Sequence, residues 1–182
     1  NVTLDLNGHE LKLANVNNNY SVVINGELTI NDSSEPDTGK IILAENGYGL
    51  GLTAQATGLT VNGGIFENGA NEYAYIIGAY GGKVTINGGT FNSKYCVANA
   101  FAQSAQIEVK GGTFNNEGQY AYYFTLLGNN IAVSGGTFEN EILGGLMADG
   151  YVLRENADGT FAPAEGPYVA EINWGGYIGR FE

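Results

Sequence analysis

The chain has 182 residues, 29 of them glycine, with 7 Lys and Arg against 19 Asp and Glu and a formal net charge of −12. This length suits one domain with a continuous core, and the acidic balance argues against a nucleic-acid partner because phosphate binding needs clustered Lys and Arg. No segment approaches the roughly 18 consecutive apolar residues of a membrane span, so no membrane insertion is expected. The single cysteine, Cys96, excludes an intramolecular disulfide.

Two coils of a repeat precede the regular part of the sequence. The segments VTLDLNGHELKL and VVINGELTIND alternate apolar and polar residues, which is typical of strands with one buried face. His9 lies at the first corner, where a lone histidine is interpreted as a surface residue rather than a metal ligand. The second coil contains an insertion, Asp32–Thr38, whose carboxylates match neither an EF-hand loop nor the glycine-rich calcium repeat. We therefore expect a solvated acidic loop and no metal site.

From Leu59 to Asn140 one phrase recurs four times. The copies share a strand, a Gly-Gly pair and a phenylalanine: LTVNGGIFEN, VTINGGTFNS, IEVKGGTFNN and IAVSGGTFEN. Their Gly-Gly pairs begin at Gly63, Gly88, Gly111 and Gly135, which lie 25, 23 and 24 residues apart. A period of this size indicates a solenoid. Because glycine reaches positive φ without steric cost, each pair is expected to turn a tight corner.

Four columns of residues run through the coils. Two are inward aliphatic positions, the third ends in phenylalanines, and the fourth is tyrosine. They are Leu4, Leu28, Leu59, Val84, Ile107 and Ile131; Leu6, Ile30, Val61, Ile86, Val109 and Val133; Leu11, Ile41, Phe66, Phe91, Phe114 and Phe138; and Tyr20, Tyr48, Tyr73, Tyr95 and Tyr120. The columns predict an all-β solenoid of about six coils of about 24 residues, with three strands in each coil.

The tyrosine strands of the later coils leave inside and outside ambiguous, because both alternating positions are apolar or small. In one interpretation the strands are covered on both faces, and the tyrosines are half-buried packing residues. In the other they form an exposed aromatic strip that marks a ligand or partner surface. The candidate ligand-binding residues are Tyr75, Tyr80, Tyr122, Tyr123 and, near the C-terminus, Trp174.

After residue 143 the period is lost, and the remaining chain is interpreted as a closing segment. Tyr151–Arg154 and Thr160–Ala162 flank Asn156–Gly159, a turn sequence of the hairpin type. A hairpin here would cover the last coil, whose bare edge would otherwise invite pairing with another chain.

The tail contains one more predicted strand, Tyr168–Ile172. Trp174 either anchors the tail onto the rod or faces a partner. We divide the single domain into β-helix repeats, residues 1–148, and a C-terminal capping hairpin and tail, residues 149–182.

The sequence offers no catalytic constellation. A glycosidase needs two carboxylates roughly 5–10 Å apart, whereas Glu67 and Glu139, which share a column, are three coils or roughly 14 Å apart at the strand spacing. A polysaccharide lyase needs clustered carboxylates and a base, but both arginines lie outside the repeats. A nucleophile such as Cys96 lacks a nearby base, since His9 is the only histidine and lies coils away. We expect no catalytic residue, no metal and no cofactor.

The phrase N-G-G-T-F, the opening VTLDLNGHELKL and the ending GYVLRENADGTF resemble bacterial surface proteins with modules of the pectate-lyase-like superfamily. The resemblance covers about Asn1 to Ala162. It implies a right-handed parallel β-helix that serves as an adhesive or spacer domain. Related β-helices occur in phage fibres, tailspikes and polysaccharide lyases. In the surface proteins a phrase like YVAEI leads into a further module, whereas NWGGYIGRFE follows here, which raises the alternative of a virion protein.

We therefore expect a non-catalytic module that is extracellular or at the cell surface and acts in adhesion, ligand display or rigid spacing. Its expected partner is a glycan or protein on a host or bacterial surface, with no nucleic acid and no membrane insertion. End-to-end or tail-mediated self-association stays open. One alternative is a structural phage virion protein, in a fibre or a capsid decoration, and another is a carbohydrate-active enzyme of the polysaccharide-lyase type.

Overall fold

The computed structural model describes residues 1–14, 20–44, 48–67, 73–117, 125–166, 170–174 and 177–181, the last two ranges as strands only. In these ranges the chain is all-β apart from one 3-10 turn, Gly144–Leu146. Strands that recur one coil apart pair in parallel, so the fold is a parallel β-solenoid and the predicted fold class is confirmed. Its right-handedness stays a prediction, supported by the general hand of parallel crossovers.

Three sheets form the sides of the solenoid and hold, in the part described, five complete coils and two strands of a sixth. Sheet A consists of β1 (Val2–Asp5), β4 (Glu27–Asn31), β7 (Gly58–Val61), β10 (Lys83–Ile86), β13 (Gln106–Val109) and β16 (Ile131–Val133). Sheet B contains β2 (Glu10–Lys12), β5 (Lys40–Ile42), β8 (Ile65–Glu67), β11 (Thr90–Ser93), β14 (Thr113–Asn116) and β17 (Thr137–Phe138). Sheet C comprises β3 (Tyr20–Ile24), β6 (Tyr48–Leu52), β9 (Tyr75–Ala79), β12 (Cys96–Ala100) and β15 (Leu126–Leu127).

The two aliphatic columns lie in sheet A and keep the predicted register from the second coil onward. In the first coil the partner of Leu28 is Val2, and the partner of Ile30 is Leu4. The prediction that Leu4 and Leu6 fill these two positions was therefore wrong by two residues. Leu6 instead lies past the end of the strand and is buried at the corner, because glycines in the next two coils leave room for its side chain.

The third column forms a stack of phenylalanine rings beneath sheet B, as predicted. Phe66, Phe91, Phe114 and Phe138 are fully buried. Their neighbouring ring planes lie within 10° of parallel, with centroids 4.6–5.1 Å apart. Burial of one such ring contributes about 1.5–3 kcal/mol, and each aromatic pair contributes about 0.5–1.5 kcal/mol more. Each coil therefore covers the phenylalanine of the coil before it.

The Gly-Gly corners allow successive coils to approach at strand spacing. Gly112 has a φ of +102°, which L residues rarely adopt, and a Cβ at Gly111 would overlap the Asn87 carbonyl of the previous coil. Outside this corner Asn87 donates a side-chain hydrogen bond of 2.8 Å to Asn62, and Asn62 donates one of 2.8 Å to Asn31. This amide ladder joins three consecutive coils along one edge of the solenoid.

The tyrosine column changes register in the middle of sheet C. The ring of Tyr48 contacts Tyr75, with centroids 5.6 Å apart, because the strand pairing aligns Leu50 with Ile77. The prediction that Tyr73 continues the column was therefore wrong. Tyr73 and Tyr75 lie two positions apart and fit the same alternation of the strand, so the sequence pattern cannot distinguish them. The packing of the buried Leu50 and Ile77 determines which of the two tyrosines aligns with Tyr48.

The same change of register determines which residue of the neighbouring strand pairs with Cys96. Its register partner is Tyr75, so Tyr95 does not continue the tyrosine column. Cys96 is a fully buried free thiol. Tyr120, the last predicted member, lies outside the described residues.

A hairpin closes the last coil, as the turn sequence predicted. Its strands, β18 (Tyr151–Glu155) and β19 (Phe161–Glu165), pair in antiparallel fashion. Phe161 pairs with Phe138 of β17, so β19 gives the last strand of sheet B an antiparallel partner. This arrangement covers a strand edge that would otherwise be free to pair with another chain.

A second hairpin forms in the tail. Its strands, β20 (Ala170–Trp174) and β21 (Tyr177–Phe181), pair with each other in a two-stranded sheet. The single strand predicted over Tyr168–Ile172 is thus placed two residues later and has a partner of its own.

Replacing Phe114 with alanine should lower the free energy of unfolding by about 3–5 kcal/mol, because it removes a ring from the middle of the stack and leaves a cavity. Urea denaturation followed by circular dichroism measures this loss. The control is Leu11→Ala in the same column, where the side chain is exposed in the first coil and the cost should be about 1 kcal/mol or less. Equal losses in the two variants would contradict the stack as the centre of the core.

Candidate ligand-binding surface

The candidate surface lies on the outer face of sheet C. One row across this face runs through Val23, Gly51, Gly78 and Asn99, which are register partners in four successive strands. Neighbouring residues such as Leu50 point to the core and are buried. Because the two middle strands present glycine, the outer face has a strip of bare backbone that can be approached closely.

The ring of Tyr20 fills this strip. A Cβ atom at Gly51 would overlap the Tyr20 ring, and a Cβ atom at Gly78 would overlap its hydroxyl group. The ring therefore reaches over the two following coils, and both positions require glycine. Burial raises the pKa of Tyr20 well above its ordinary value, so its hydroxyl group is neutral at physiological pH.

Among the described residues, seven rings make a continuous cluster on and beside this face, which we name the aromatic patch. Its members are Tyr20, Tyr48, Tyr73, Tyr75, Tyr80, Tyr95 and Phe101. Neighbouring ring centroids are 4.8–5.9 Å apart, within the range of favourable aromatic pairs. Three members are well exposed, Tyr73 at 59 %, Tyr80 at 47 % and Phe101 at 39 %. The patch therefore combines a packed base with rings that reach solvent.

Tyr80 and Phe101 form the outermost pair. Their rings stack with centroids 4.8 Å apart and an interplanar angle of 12°, and Tyr75 meets Phe101 edge-on at 5.1 Å. Phe101 was missed by the sequence reasoning. The available signal was that Tyr80 and Phe101 each follow an alanine at the end of neighbouring strands of one sheet.

Tyr75 presents an uncharged phenol beneath this pair. Burial and the neighbouring Tyr95 raise the pKa of Tyr75 to about 12, although a hydrogen bond with Asn99 opposes the shift. The patch consequently offers neutral hydroxyl groups and apolar ring surfaces at physiological pH.

The structure brings only some of the predicted ligand-binding residues together. Tyr75 and Tyr80 belong to the aromatic patch, Tyr75 half-buried and Tyr80 exposed, and ligand binding by either residue stays a prediction. Tyr122 and Tyr123 lie outside the described residues. Trp174 is placed as the last residue of β20, opposite Tyr177.

No group of three or more His, Cys, Asp and Glu side chains that could hold a metal occurs in the part of the chain described. Glu67 forms an ion pair of 2.9 Å with Lys40, and its register partners in the next two coils are Asn92 and Asn115. Burial raises the pKa of the Cys96 thiol well above its ordinary range, which disfavours a thiolate nucleophile. That the chain is non-catalytic stays a prediction.

The acidic insertion, Asp32–Thr38, is organised around one carboxylate. Asp32 accepts hydrogen bonds of 2.8 Å from the Gly8 N–H and 2.9 Å from the Ser34 hydroxyl, and it also accepts one from the Gly39 N–H. Burial raises the pKa of Asp32, but these hydrogen bonds outweigh it and hold the pKa below its ordinary value. The insertion is therefore a side-chain-stabilised turn between β4 and β5 in the second coil, with Asp37 exposed within it.

Comparison of the chain with protein-family models, with curated proteins and with solved structures gave no match. No helix in the described ranges has the length and apolar character needed to cross a membrane.

Replacing Gly78 with alanine should displace the Tyr20 ring and destabilise the fold by about 1–3 kcal/mol, because the new methyl group occupies the position of the ring hydroxyl. Urea denaturation measures the change. Gly26→Ala is the matched control, since a Cβ atom there meets no atom within 4 Å and its effect should stay within about 0.5 kcal/mol. A Gly78 variant as stable as the Gly26 variant would show that the Tyr20 ring does not occupy the glycine strip.

Replacing Asp32 with asparagine should cost about 1–3 kcal/mol near neutral pH, because the charged acceptor of four hydrogen bonds is lost. A carboxylate whose folded-state pKa is depressed stabilises the fold above its unfolded pKa of about 3.9, and this contribution disappears as the pH falls through the folded-state value. The stability difference between wild type and variant should therefore shrink below about pH 4. Urea midpoints measured across this range test the expectation. Asp37→Asn is the control, and a difference independent of pH would contradict the role given to Asp32.

Proposed function

We propose that this chain is a non-catalytic extracellular β-solenoid module of a bacterial surface protein that binds a glycan or protein ligand through the aromatic patch. The observation that carries the proposal is the group of exposed rings on one side of a rigid rod, Tyr73, Tyr80 and Phe101. Contiguous exposed apolar surface on a soluble protein marks an interaction site more often than single exposed side chains do. Tyrosine adds a hydroxyl group that fixes the orientation of a bound partner.

The supporting physical argument is preorganisation. Tyr75 lies edge-on against Phe101, and Phe101 is stacked on Tyr80, so neither exposed ring is a freely rotating side chain. A partner that binds rings already held in place loses little side-chain entropy on binding. The sheet beneath them is rigid because its inward residues, such as Ile77, are fully buried.

A non-catalytic role is supported by two carboxylates on the outer faces of the solenoid, both of which form ion pairs with lysines. Glu67 is paired with Lys40, and Glu108 lies between Lys83 at 2.6 Å and Lys110 at 3.2 Å. The hydrogen bond from Lys83 is the largest cause that lowers the pKa of Glu108, so this group is a poor general acid at neutral pH. The enzyme alternative would instead need a carboxylate with a raised pKa.

A second candidate is an assembly role, either as a rigid spacer or as a structural phage virion protein. It is favoured by the exposed apolar side chains of Val2, Leu11 and Val23 in the described chain, since exposed apolar surface is suited to association with a partner. Analytical ultracentrifugation separates the two candidates, because self-association that Val2→Lys abolishes would support assembly.

Binding should be lost when the outer pair is removed. The isolated module is first screened on a glycan array and against surface-protein extracts in moderate salt. The double variant Tyr80→Ala with Phe101→Ala should bind the ligand found in this screen at least about tenfold more weakly than wild type, because anchoring aromatic residues carry much of the energy of an interface. Val23→Ala, an exposed position on the same face three coils from Phe101, is the control and should bind like wild type. Unfolding curves establish that both variants fold. Unchanged binding by the double variant would overturn the aromatic patch as the site.

A further inference from the structure

A polar groove lies beside the aromatic patch, on the outer face of sheet B. It is lined by Glu67, Asn92, Ser93, Lys94, Asn115 and Glu117. Three of its residues, Glu67, Asn92 and Asn115, are register partners in β8, β11 and β14, each next to a buried phenylalanine of the stack. Since strand residues alternate between faces, these three side chains point away from the core and form a row along the axis of the rod.

The row offers both hydrogen-bond donors and hydrogen-bond acceptors. Asn115 donates a side-chain hydrogen bond of 2.8 Å to the amide oxygen of Asn92. A carboxamide carries two donors and an acceptor with two lone pairs. This bond therefore leaves both N–H donors of Asn92 and the oxygen of Asn115 available on the groove side.

Two oppositely charged side chains complete the groove. Lys94 and Glu117 are both exposed, and neither forms an ion pair within the residues that the structure describes. Glu67 is already held by Lys40. The groove thus presents amide donors and acceptors, one free amine and one free carboxylate, with no excess of positive charge.

The groove and the aromatic patch meet at the corner between β11 and β12. Lys94 lines the groove, and the next residue, Tyr95, belongs to the patch. The ring of Tyr95 contacts Tyr73, with centroids 5.9 Å apart, and Tyr73 is the most exposed ring of the patch. An exposed ring therefore lies beside the row of polar groups, across this corner.

These observations select one class of ligand. A sugar ring has an apolar face that packs on an aromatic ring, and hydroxyl groups that both donate to and accept from amides and carboxylates. The chain has a net charge of −12, which disfavours uronic-acid or sulfated polymers through long-range repulsion. We infer that the groove and the adjoining rings of Tyr73 and Tyr95 bind a neutral oligosaccharide. The inference rests on the proposed function, because it extends the ligand of the aromatic patch into the groove.

The test uses an array of neutral glucans, xylans, mannans and galactans together with uronic-acid polymers, followed by titration calorimetry with the neutral oligosaccharide that binds best. Wild type should bind a neutral class and not the uronic-acid polymers. Asn115→Ala should weaken binding by about threefold to tenfold, because it removes a hydrogen-bonding group from the groove. Lys94→Ala should also weaken it, and this exposed side chain can be truncated without disturbing the core.

The matched control is Asn87→Ala, which removes an asparagine from the other amide ladder, at a different corner, and should bind like wild type. Equal binding by wild type, Asn115→Ala and Lys94→Ala would overturn the groove, while loss in the Tyr80 and Phe101 double variant would still uphold the proposed function. Binding lost in the groove variants but kept in that double variant would uphold the groove and overturn Tyr80 and Phe101 as part of the site. Binding to uronic-acid polymers alone, or to no glycan on the array, would overturn the inference.

Discussion

Each coil of this solenoid depends on its neighbours for the hydrogen bonds of its strands and for the apolar partners of its side chains. No coil can bury Phe91 alone, since that ring is covered by the phenylalanine rings before and after it. The same stacking aligns polar residues outside the core. Asn62 and Asn87 form a ladder, and Glu108 is held between lysines of its own and the preceding coil. One register therefore sets the core and the surface together.

The candidate binding surface follows from that register. In sheet C the inner face of the strands carries aliphatic residues, and on the outer face the ring of Tyr20 lies over Gly51 and Gly78. The absence of side chains at these two positions allows Tyr20 to pack flat, and the rings of later coils continue outward to Tyr80 and Phe101. The surface is therefore built from residues of four consecutive coils and would not exist in any one of them.

The repeated phrase predicted the solenoid and its phenylalanine stack correctly, because a Gly-Gly corner fixes the spacing between one strand and the next. The repeated phrase predicted the wrong register where no Gly-Gly corner was available. In the first coil Leu4 and Leu6 both fit an inward position, and in the third coil Tyr73 and Tyr75 both fit the tyrosine column. The two residues of each pair lie two positions apart and therefore point to the same face of the strand. The alternation of apolar and polar residues is the same whichever of the two is aligned with the column.

The sequence by itself determined the class of fold and the core, because hydrophobic alternation and glycine corners are local and recur in every coil. The site required the tertiary structure. Tyr80 and Phe101 are 21 residues apart in the chain, and only the pairing of β9 with β12 brings their rings to 4.8 Å. Asn92 and Asn115 likewise become one hydrogen-bonded row only when β11 and β14 stack. Contacts between coils depend on register to within two residues, and that register is chosen by the packing of buried side chains such as Leu50 and Ile77.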